Sequence, residues 1–265
     1  MVWEVYPGQY VKVRKYDDPL QGDCDSCICL AGLCSMGWTN STFYDTTPTV
    51  KIGSYNYYTI YFWPNAVRKT VRVSERLCVE SGQLRFASSK EPDELWPSIY
   101  EKAYAAFIKA NHSSTTVDTF TMSTTPFGKN GKVTMEELTK LPYADPLISA
   151  IPDTYDVPDV YTFISQRSPG GKTAKPMIAW TPDGGSTGGI TADHTYSVLG
   201  VVPADNYIVL RDPRRGAPEP TANVLTTKVV TLGGVNLDLK VLNDGIFALH
   251  KDAFANLFYK LAWTP

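Results

Sequence analysis

Four of the chain's five cysteines lie in one short segment, and they are Cys24, Cys27, Cys29 and Cys34. Cysteine can ligate a metal, form a disulfide bond or, when its thiol is ionised, act as a nucleophile. Nucleophilic catalysis also requires a base that takes the thiol proton and a third group that orients the base. The chain has three histidines that can supply the base, and they are His112, His194 and His250.

Metal binding and a disulfide framework both fit the cysteine cluster poorly. Structural zinc sites usually combine two separated pairs of ligands, and no second Cys or His pair follows in this sequence. Disulfide-rich secreted domains are shorter and richer in cysteine than this chain of 265 residues. The segment that ends at Glu137 resembles the end of an EF-hand loop, but its first and third ligand positions are Pro126 and Gly128, which carry no carboxylate.

A single reactive thiol is the remaining interpretation, and Cys24 has the setting for it. Cys24 follows Gly22-Asp23 and opens an apolar run, which places it at the predicted N-terminus of a helix. The helix dipole stabilises a thiolate at that position. The other three cysteines of the cluster are predicted to be small apolar residues of the buried helix behind it.

His194 is the histidine whose surroundings fit a catalytic base. It follows the glycine-rich loop 183–193 and enters the predicted strand TYSVLGVV, whereas His112 and His250 are expected at the surface. The next predicted strand, YIVLRD, ends in Asp212. Adjacent antiparallel strands with a short connection would set His194 beside Asp212 at one sheet edge.

Helices and strands that hold these residues follow from periodicity. The segment ELWPSIYEKAYAAFIKA predicts a helix, Thr134 and Glu137 predict a capping box for a short one, and DAFANLFYKL predicts a last helix capped by Asp252. Strands are predicted for KTVRV, PMIAW, TYSVLGVV, YIVLRD, KVVTL and VNLDLKVL. The fold class is therefore α+β, with a helical N-terminal lobe (1–118), an antiparallel β-rich C-terminal lobe (119–265) and a cleft between them.

Composition limits the possible partners and location. Hydrophobic residues make up 43% of the chain and the formal net charge is −2, so a globular protein is expected without electrostatic attraction to nucleic acid or an anionic membrane. No apolar run is long enough to span a bilayer, and the first residues lack the pattern of a signal peptide. We expect a cytoplasmic protein with reduced thiols.

Several motifs occur in an order that resembles the catalytic core of the calpain cysteine proteases. They are GDC before an apolar helix, VRVSERL, LRFAS, ELWPSIYEKAYA, HTYSVLGV, YIVLRDPRRG and DGIFALHKDAFANLF. The resemblance implies a two-lobed, papain-like core in which Cys24 is the nucleophile, His194 the general base and acid, and Asp212 the residue that orients the imidazole. It also implies that Gln21 helps the backbone N–H of Cys24 to hold the oxyanion.

Three departures from the family pattern qualify this assignment. The family usually has Asn-Pro-Trp-Gly where this chain has Asp212-Pro213-Arg214-Arg215-Gly216. In the family a glutamine precedes the nucleophile by six positions, but six positions before Cys24 lies Asp18, so Gln21 fits only if three loop residues are deleted. Asp25 replaces the tryptophan that usually follows the nucleophile.

Calcium is the family's activator, and the resemblance implies a weaker dependence here. Asp18 and Glu94 match ligands of the first calcium site, and Asp244 alone matches the second. A calcium ion needs six to eight oxygen ligands. We therefore expect that no cofactor is required, with calcium binding at the first site left open.

The predicted function is a cysteine endopeptidase that cleaves extended segments of protein or peptide substrates in the cleft between lobes. Loop 183–193 is either a gate to that cleft or an ordinary connection. One alternative is a pseudoprotease that binds or scaffolds, because Asp25, Arg214 and the placement of Gln21 depart from the family. Another is a different Cys-His-Asp enzyme, such as an acyltransferase or a transglutaminase.

Overall fold

The computed structural model describes residues 1–11, 15–40, 49–122, 125, 127, 130–139, 157–216, 220–227, 229–239 and 244–263. The α-helices in these ranges are α1 (Cys27–Thr39), α2 (Trp96–Lys109), α3 (Gly131–Thr139), α4 (Val157–Gln166) and α5 (Lys251–Leu257). Single 3₁₀ turns lie at Pro64–Ala66, Pro169–Gly171 and Pro203–Asp205.

The strands of the first part of the chain are β1 (Val2–Val5), β2 (Pro19–Leu20), β3 (Thr49–Ile52), β4 (Tyr55–Phe62), β5 (Lys69–Ser74), β6 (Arg76–Glu80), β7 (Gln83–Leu84), β8 (Ser88–Ser89) and β9 (Thr115–Val117). Those of the second part are β10 (Met177–Trp180), β11 (Thr195–Val202), β12 (Tyr207–Arg211), β13 (Val229–Leu232), β14 (Val235–Asp238), β15 (Ile246–His250) and β16 (Lys260–Trp263).

The largest sheet has five antiparallel strands in the order β15-β12-β11-β10-β16. Strands β10 and β11 are buried almost along their whole length, which explains their continuous apolar sequences. The smaller sheets have the orders β1-β6-β7, β3-β4-β5-β9, β2-β8 and β13-β14. All strand pairs are antiparallel except β5 with β9 among the residues that the structure describes.

Helix α1 is the central element because both of its sides are covered. Its residues from Ile28 to Trp38 are all buried. One side is tied to the five-stranded sheet, where Ser197 Oγ donates to Ala31 O at 2.8 Å and Trp38 Nε1 donates to Leu199 O at 2.7 Å. The opposite side packs on α3 so closely that a Cβ on Gly32 would lie 2.9 Å from Leu138 Cδ1. A helix that is apolar all round is therefore fixed from both sides.

Most predicted elements are confirmed. The segments assigned to β5, β10, β11, β12 and β13 form strands, and the helix predicted from ELWPSIYEKAYAAFIKA is α2. Two predicted caps are wrong. Thr134 lies inside α3, and Glu137 is buried there and accepts a hydrogen bond from Tyr104 instead of capping the helix. The N-cap of α5 is His250, whose ring accepts from the backbone N–H of Asp252.

The mixed α+β class is confirmed, but the description of the first part as helical is wrong. Strands β1–β9 lie within residues 1–118 together with only two of the described helices, α1 and α2. Short alternating strands between residues 49 and 89 account for the difference. The predicted lobe boundary at residue 118 stays a prediction. Met135 in α3 packs in the same apolar cluster as Leu30 of α1 and Trp96 of α2.

Helices long and apolar enough to cross a bilayer are absent from the described part of the chain.

Candidate active site

The candidate nucleophile lies at the start of α1, directly after the turn that precedes this helix. The helix begins at Cys27, one residue after its N-cap Ser26. A thiol at this position lies at the positive end of the helix dipole, which favours the thiolate. Gly22 allows the turn to approach the backbone at residues 85–86, because a Cβ there would lie 2.2 Å from Phe86 O.

Cys27, not Cys24, is the thiol that faces His194. Burial alone would raise the pKa of Cys27, but a hydrogen bond to His194, the nearby imidazole charge and contacts with Thr195 lower the pKa below its ordinary value. Cys27 Sγ lies 3.8 Å from Thr195 Oγ1. Burial alone would lower the pKa of His194, but hydrogen bonds to Asp212 and Cys27 raise it to about 9. Both shifts favour the thiolate–imidazolium pair over the neutral pair.

His194 and Asp212 meet at one edge of the five-stranded sheet, where β11 begins and β12 ends. His194 Nε2 lies 2.7 Å from Asp212 Oδ1, and both residues are buried. Nδ1 is then the ring nitrogen available to Cys27. The backbone N–H of Asp212 donates to Gly245 O at 2.9 Å, and a Cβ on Gly245 would lie 2.2 Å from Asp212 O. The structure thus brings together two residues that the predicted strand order placed at one edge.

Cys24 lies in a different environment, behind the turn. Its Sγ donates to Glu101 Oε1 at 3.1 Å and to Ser26 Oγ at 3.3 Å. Burial and the Glu101 carboxylate raise the pKa of Cys24 well above its ordinary value. Glu101 also accepts from the Ser26 hydroxyl and, at 2.7 Å, from the backbone N–H of Ala87. Cys24 therefore has the contacts of a buried structural thiol, and we replace it by Cys27 as the candidate nucleophile.

Gln21 lies at the same site as Cys27. Its Nε2 donates to Cys24 O at 2.7 Å, which uses one of the two amide hydrogens. The Gln21 backbone N–H donates to Pro213 O at 2.7 Å, and its carbonyl accepts from Arg215 N at 3.2 Å. These bonds fix the turn before α1 to the turn that carries Asp212.

A cavity of about 350 Å³ opens beside the thiol and the imidazole. Its wall combines apolar and aromatic side chains with polar ones, and Trp180 Nε1 donates to Tyr259 Oη at 2.9 Å, which fixes two of the rings. The lining residues are Gln21, Asp25, Cys27, Ile28, Phe127, Trp180, Asp193, His194, Thr195 and Tyr259. A cavity in which polar groups converge beside apolar and aromatic side chains is typical of a ligand site.

Spacing was the signal that could have identified Cys27 from the sequence. Gln21 precedes Cys27 by six positions, which is the family spacing without any deletion. With Cys27 as nucleophile, Ile28 is the residue that follows it, and Asp25 lies outside the helix. The buried positions predicted for Cys29 and Cys34 are confirmed.

The other two histidines have structural contacts. His112 Nδ1 lies 2.5 Å from Glu137 Oε1 and joins the end of α2 to α3, while its side chain stays 42% exposed, in agreement with the predicted surface position. His250 is the N-cap of α5. Neither is placed beside a described thiol by these contacts.

Asp244, the residue predicted for the second calcium site, already has a cationic partner. Lys90 Nζ contacts Asp244 Oδ1 and lies 3.0 Å from Asp17 Oδ2. Burial alone would lower the pKa of Lys90, but the hydrogen bonds to both carboxylates raise it. The ammonium takes the position that a cation would occupy, so Asp244 does not fit calcium.

The first predicted calcium pair, Asp18 and Glu94, places two buried acidic groups together. Burial and the neighbouring Glu94 raise the pKa of Asp18 to about 8. Asp18 Oδ2 accepts from the backbone N–H of Lys15 at 2.9 Å, and Glu94 Oε2 accepts from Ser89 Oγ at 2.8 Å. Within the residues that the structure describes, no cluster of three or more Asp, Glu, His or Cys side chains is suited to a metal ion. The raised pKa of Asp18 favours a proton on this carboxyl, which reduces the repulsion between the two groups.

We expect Asp18→Asn to remove the part of the pH dependence of the free energy of unfolding that comes from Asp18. The folded protein binds more protons at Asp18 than the unfolded chain between the ordinary pKa and about 8. The free energy of unfolding therefore falls as pH rises through this range, by up to about 1.4 kcal/mol per pH unit. Urea unfolding of both proteins at pH 5 and pH 8 measures the difference, with the exposed Glu4→Gln as the matched control.

Calcium titration of the same proteins tests the first site directly. A metal bound at Asp18 and Glu94 would raise the melting temperature of the wild type and not of Asp18→Asn. In the urea experiment, the same dependence of the free energy of unfolding on pH in the wild type and in Asp18→Asn would contradict a proton held on Asp18.

In this site a thiol at the start of a helix is paired with an imidazole, and a buried carboxylate orients the imidazole. Cysteine-dependent hydrolases have this arrangement. A family model described as calpain family cysteine protease matches residues 7–213. The chain belongs to this family, and a protease function is supported.

Individual relatives match smaller parts of the chain. Mouse (Mus musculus) calpain-8 is 33% identical over 91 residues, which cover 33% of this chain and 13% of that protein. A thiol protease of Porphyromonas gingivalis is 26% identical over 191 residues, covering 64% of this chain and 36% of that protein. Calpain-A of Drosophila melanogaster is 30% identical over 102 residues, covering 37% and 12%. The chain thus spans well under two thirds of the length of these relatives.

Proposed function

We propose that the protein is a cysteine endopeptidase in which Cys27 is the nucleophile, His194 the general base and acid, and Asp212 the residue that orients the imidazole. The observation that carries this proposal is the hydrogen-bonded series from the thiol at the start of α1 through His194 to Asp212. The cavity beside these groups supports a substrate that reaches them from solvent.

The acylation step follows from this geometry. The Cys27 thiolate attacks the carbonyl carbon of a peptide bond, a C–S bond forms, and the carbonyl electron pair moves to the oxygen. The backbone N–H of Cys27 and the Gln21 amide are the donors for that oxyanion. His194 gives its Nδ1 proton to the departing amine as the C–N bond breaks, which leaves an acyl-enzyme.

Deacylation reverses the proton movement. His194 takes a proton from water, the resulting hydroxide attacks the thioester carbon, and the C–S bond breaks. The carboxylic acid product leaves, and the thiolate and imidazolium form again. Asp212 keeps the ring aligned in both steps and stabilises its charged form.

A pseudoprotease remains the alternative from another class. Its case rested on Asp25, Arg214 and the placement of Gln21. With Cys27 as nucleophile, Gln21 has the family spacing and Asp25 no longer follows the thiol, so both arguments lose their basis. The cationic Lys90 between Asp17 and Asp244 supports proteolysis that does not require calcium.

Cleavage of an unstructured protein tests the proposal. The purified protein is incubated with reduced, unfolded casein under reducing conditions, with EDTA or with calcium, and new peptide termini are mapped by mass spectrometry. We expect internal cleavages with and without calcium, at a rate that iodoacetamide abolishes while forming one adduct at Cys27. The control is protein inhibited by iodoacetamide before substrate is added.

Intact casein together with slow alkylation spread over several cysteines would contradict the protease and leave a binding protein. Cleavage that needs calcium would contradict calcium independence alone. Transfer of an acyl group to an added amine without hydrolysis would favour the acyltransferase or transglutaminase alternative.

A further inference from the structure

Arg214 is the charged residue next to the His194–Asp212 pair that the proposed mechanism leaves unused. Its backbone N–H donates to Asp212 Oδ1 at 2.8 Å, and its guanidinium Nη2 lies 3.8 Å from Asp212 Oδ2. The guanidinium also donates to Thr191 Oγ1, at the end of the loop before His194. Arg214 therefore reaches from the turn after β12 to the loop before β11 across this edge of the sheet.

The position of the charge matters because Asp212 is buried. One carboxylate oxygen faces the imidazole at 2.7 Å and the other faces the guanidinium, so His194 and Arg214 share one negative charge. An unshared buried carboxylate stabilises an imidazolium strongly and makes it a weaker acid. A positive charge at the second oxygen opposes that effect. Asp212 and Arg214 together should therefore act on the imidazole with less negative charge than Asp212 would alone.

We propose that Arg214 is a positioning residue that offsets the charge of Asp212 and thereby sets the acidity of the His194 imidazolium. This inference rests on the proposed function for its catalytic consequence, although its electrostatic part does not. An imidazolium that is acidic enough donates its proton to the leaving amine, whereas an over-stabilised one retains it.

Other groups face the imidazole and must stay constant for the test. Tyr196 on β11 packs edge-on against the His194 ring at 5.0 Å, and Arg211 lies buried behind Asp212. Cys27 contacts the ring from α1, and the cavity beside it is lined by further ionisable groups, which are Asp25, Asp193 and Tyr259. In the described part of the chain, Arg214 is the cationic side chain that, besides His194, contacts the Asp212 carboxylate.

Titration of the ring by nitrogen-15 NMR measures the electrostatic effect without needing activity. The experiment uses the full chain with Cys27→Ala, so that no thiolate couples to the ring. Arg214→Met should raise the pKa of His194 by about 0.5 to 1 unit, and Arg214→Lys should restore most of the wild-type value because it keeps the charge. The matched control is Arg215→Met. The Arg215 guanidinium contacts Ser88 Oγ at 2.5 Å, so its removal should leave the pKa of His194 unchanged.

Kinetics with Cys27 intact tests the catalytic consequence, because Arg214→Met should lower activity when Asp212 is present and raise it when Asp212 is replaced by Asn. Arg214→Met alone should lower kcat several-fold and shift the alkaline limb of the pH–rate profile to higher pH. Asp212→Asn leaves the guanidinium uncompensated beside the ring and should lower kcat/KM by about 100-fold or more. Adding Arg214→Met to Asp212→Asn should then raise kcat/KM at least tenfold, because the two effects are coupled.

The outcomes separate the inference from the proposed function. An unchanged pKa in Arg214→Met would overturn the charge offset, and so would a double variant less active than Asp212→Asn, which would indicate that Arg214 only packs against Thr191. A shifted His194 pKa, together with no peptide hydrolysis by the protein with Cys27 intact, would support the charge offset and refute the peptidase.

Discussion

Cys27→Ala removes all measurable peptide-bond hydrolysis, whereas Cys24→Ala retains activity within about tenfold of the wild type. The physical reason is that, of these two thiols, Cys27 is the one with a base within hydrogen-bonding reach and a pKa lowered by it. Loss of the nucleophile in a protease triad lowers kcat by about 10⁴-fold or more. Cys24 instead donates to Glu101, and this contact makes its thiol hard to ionise.

Measurement of kcat/KM on one fluorogenic peptide gives both results. Near-neutral pH and a reducing buffer keep the thiols free, and circular dichroism confirms that each variant is folded. Cys29→Ala, which removes another buried thiol of the same segment, is the matched control. An inactive Cys24→Ala beside an active Cys27→Ala would restore the assignment made from the sequence.

Arg211→Met should lower the free energy of unfolding by about 3–5 kcal/mol, because two buried carbonyls and a buried thiol each lose their donor. Arg211 is fully buried at the end of β12. Its guanidinium donates to Cys34 Sγ at 2.6 Å and to the carbonyls of Asp17 and Pro19 at 2.6 and 2.9 Å. Methionine fills much of the volume but leaves these acceptors without a donor, which adds a desolvation cost.

Urea unfolding followed by tryptophan fluorescence measures this change. Arg72→Met is the matched control because Arg72 is exposed on β5, and its substitution should change the free energy by no more than about 0.5 kcal/mol. An Arg211→Met protein as stable as this control would contradict the structural importance of the buried guanidinium.

Local pattern was sufficient for the strands and for one half of the site. The short connection between the two predicted strands implies that β11 and β12 pair, so the sequence alone predicts that His194 and Asp212 lie together. The nucleophile was misplaced because Gly22-Asp23 before Cys24 matches the family motif, whereas the helix starts three residues later, at Cys27. The distance from Gln21 carried the correct information.

Contacts between distant segments could not be predicted in this way. Arg211 and Cys34 are 177 positions apart, and Cys24 and Glu101 are 77 apart. No periodicity relates such pairs, because they form only when α1 is packed between the sheet and the other helices. The predicted cap of α3 failed for a related reason. Burial of Glu137 against Tyr104, a tertiary contact, outweighed the local capping pattern.

The ammonium of Lys90 between Asp17 and Asp244 has a consequence for control of the protein. Asp17 and Lys90 come from the first part of the chain and Asp244 from near its end, so this cation joins segments that are far apart in sequence. A diffusible ion would make that connection depend on its concentration, and a chelator could remove it. A charge that is covalently attached keeps a constant, high effective concentration. We therefore expect this junction to hold at any calcium concentration, because its cation is part of the chain.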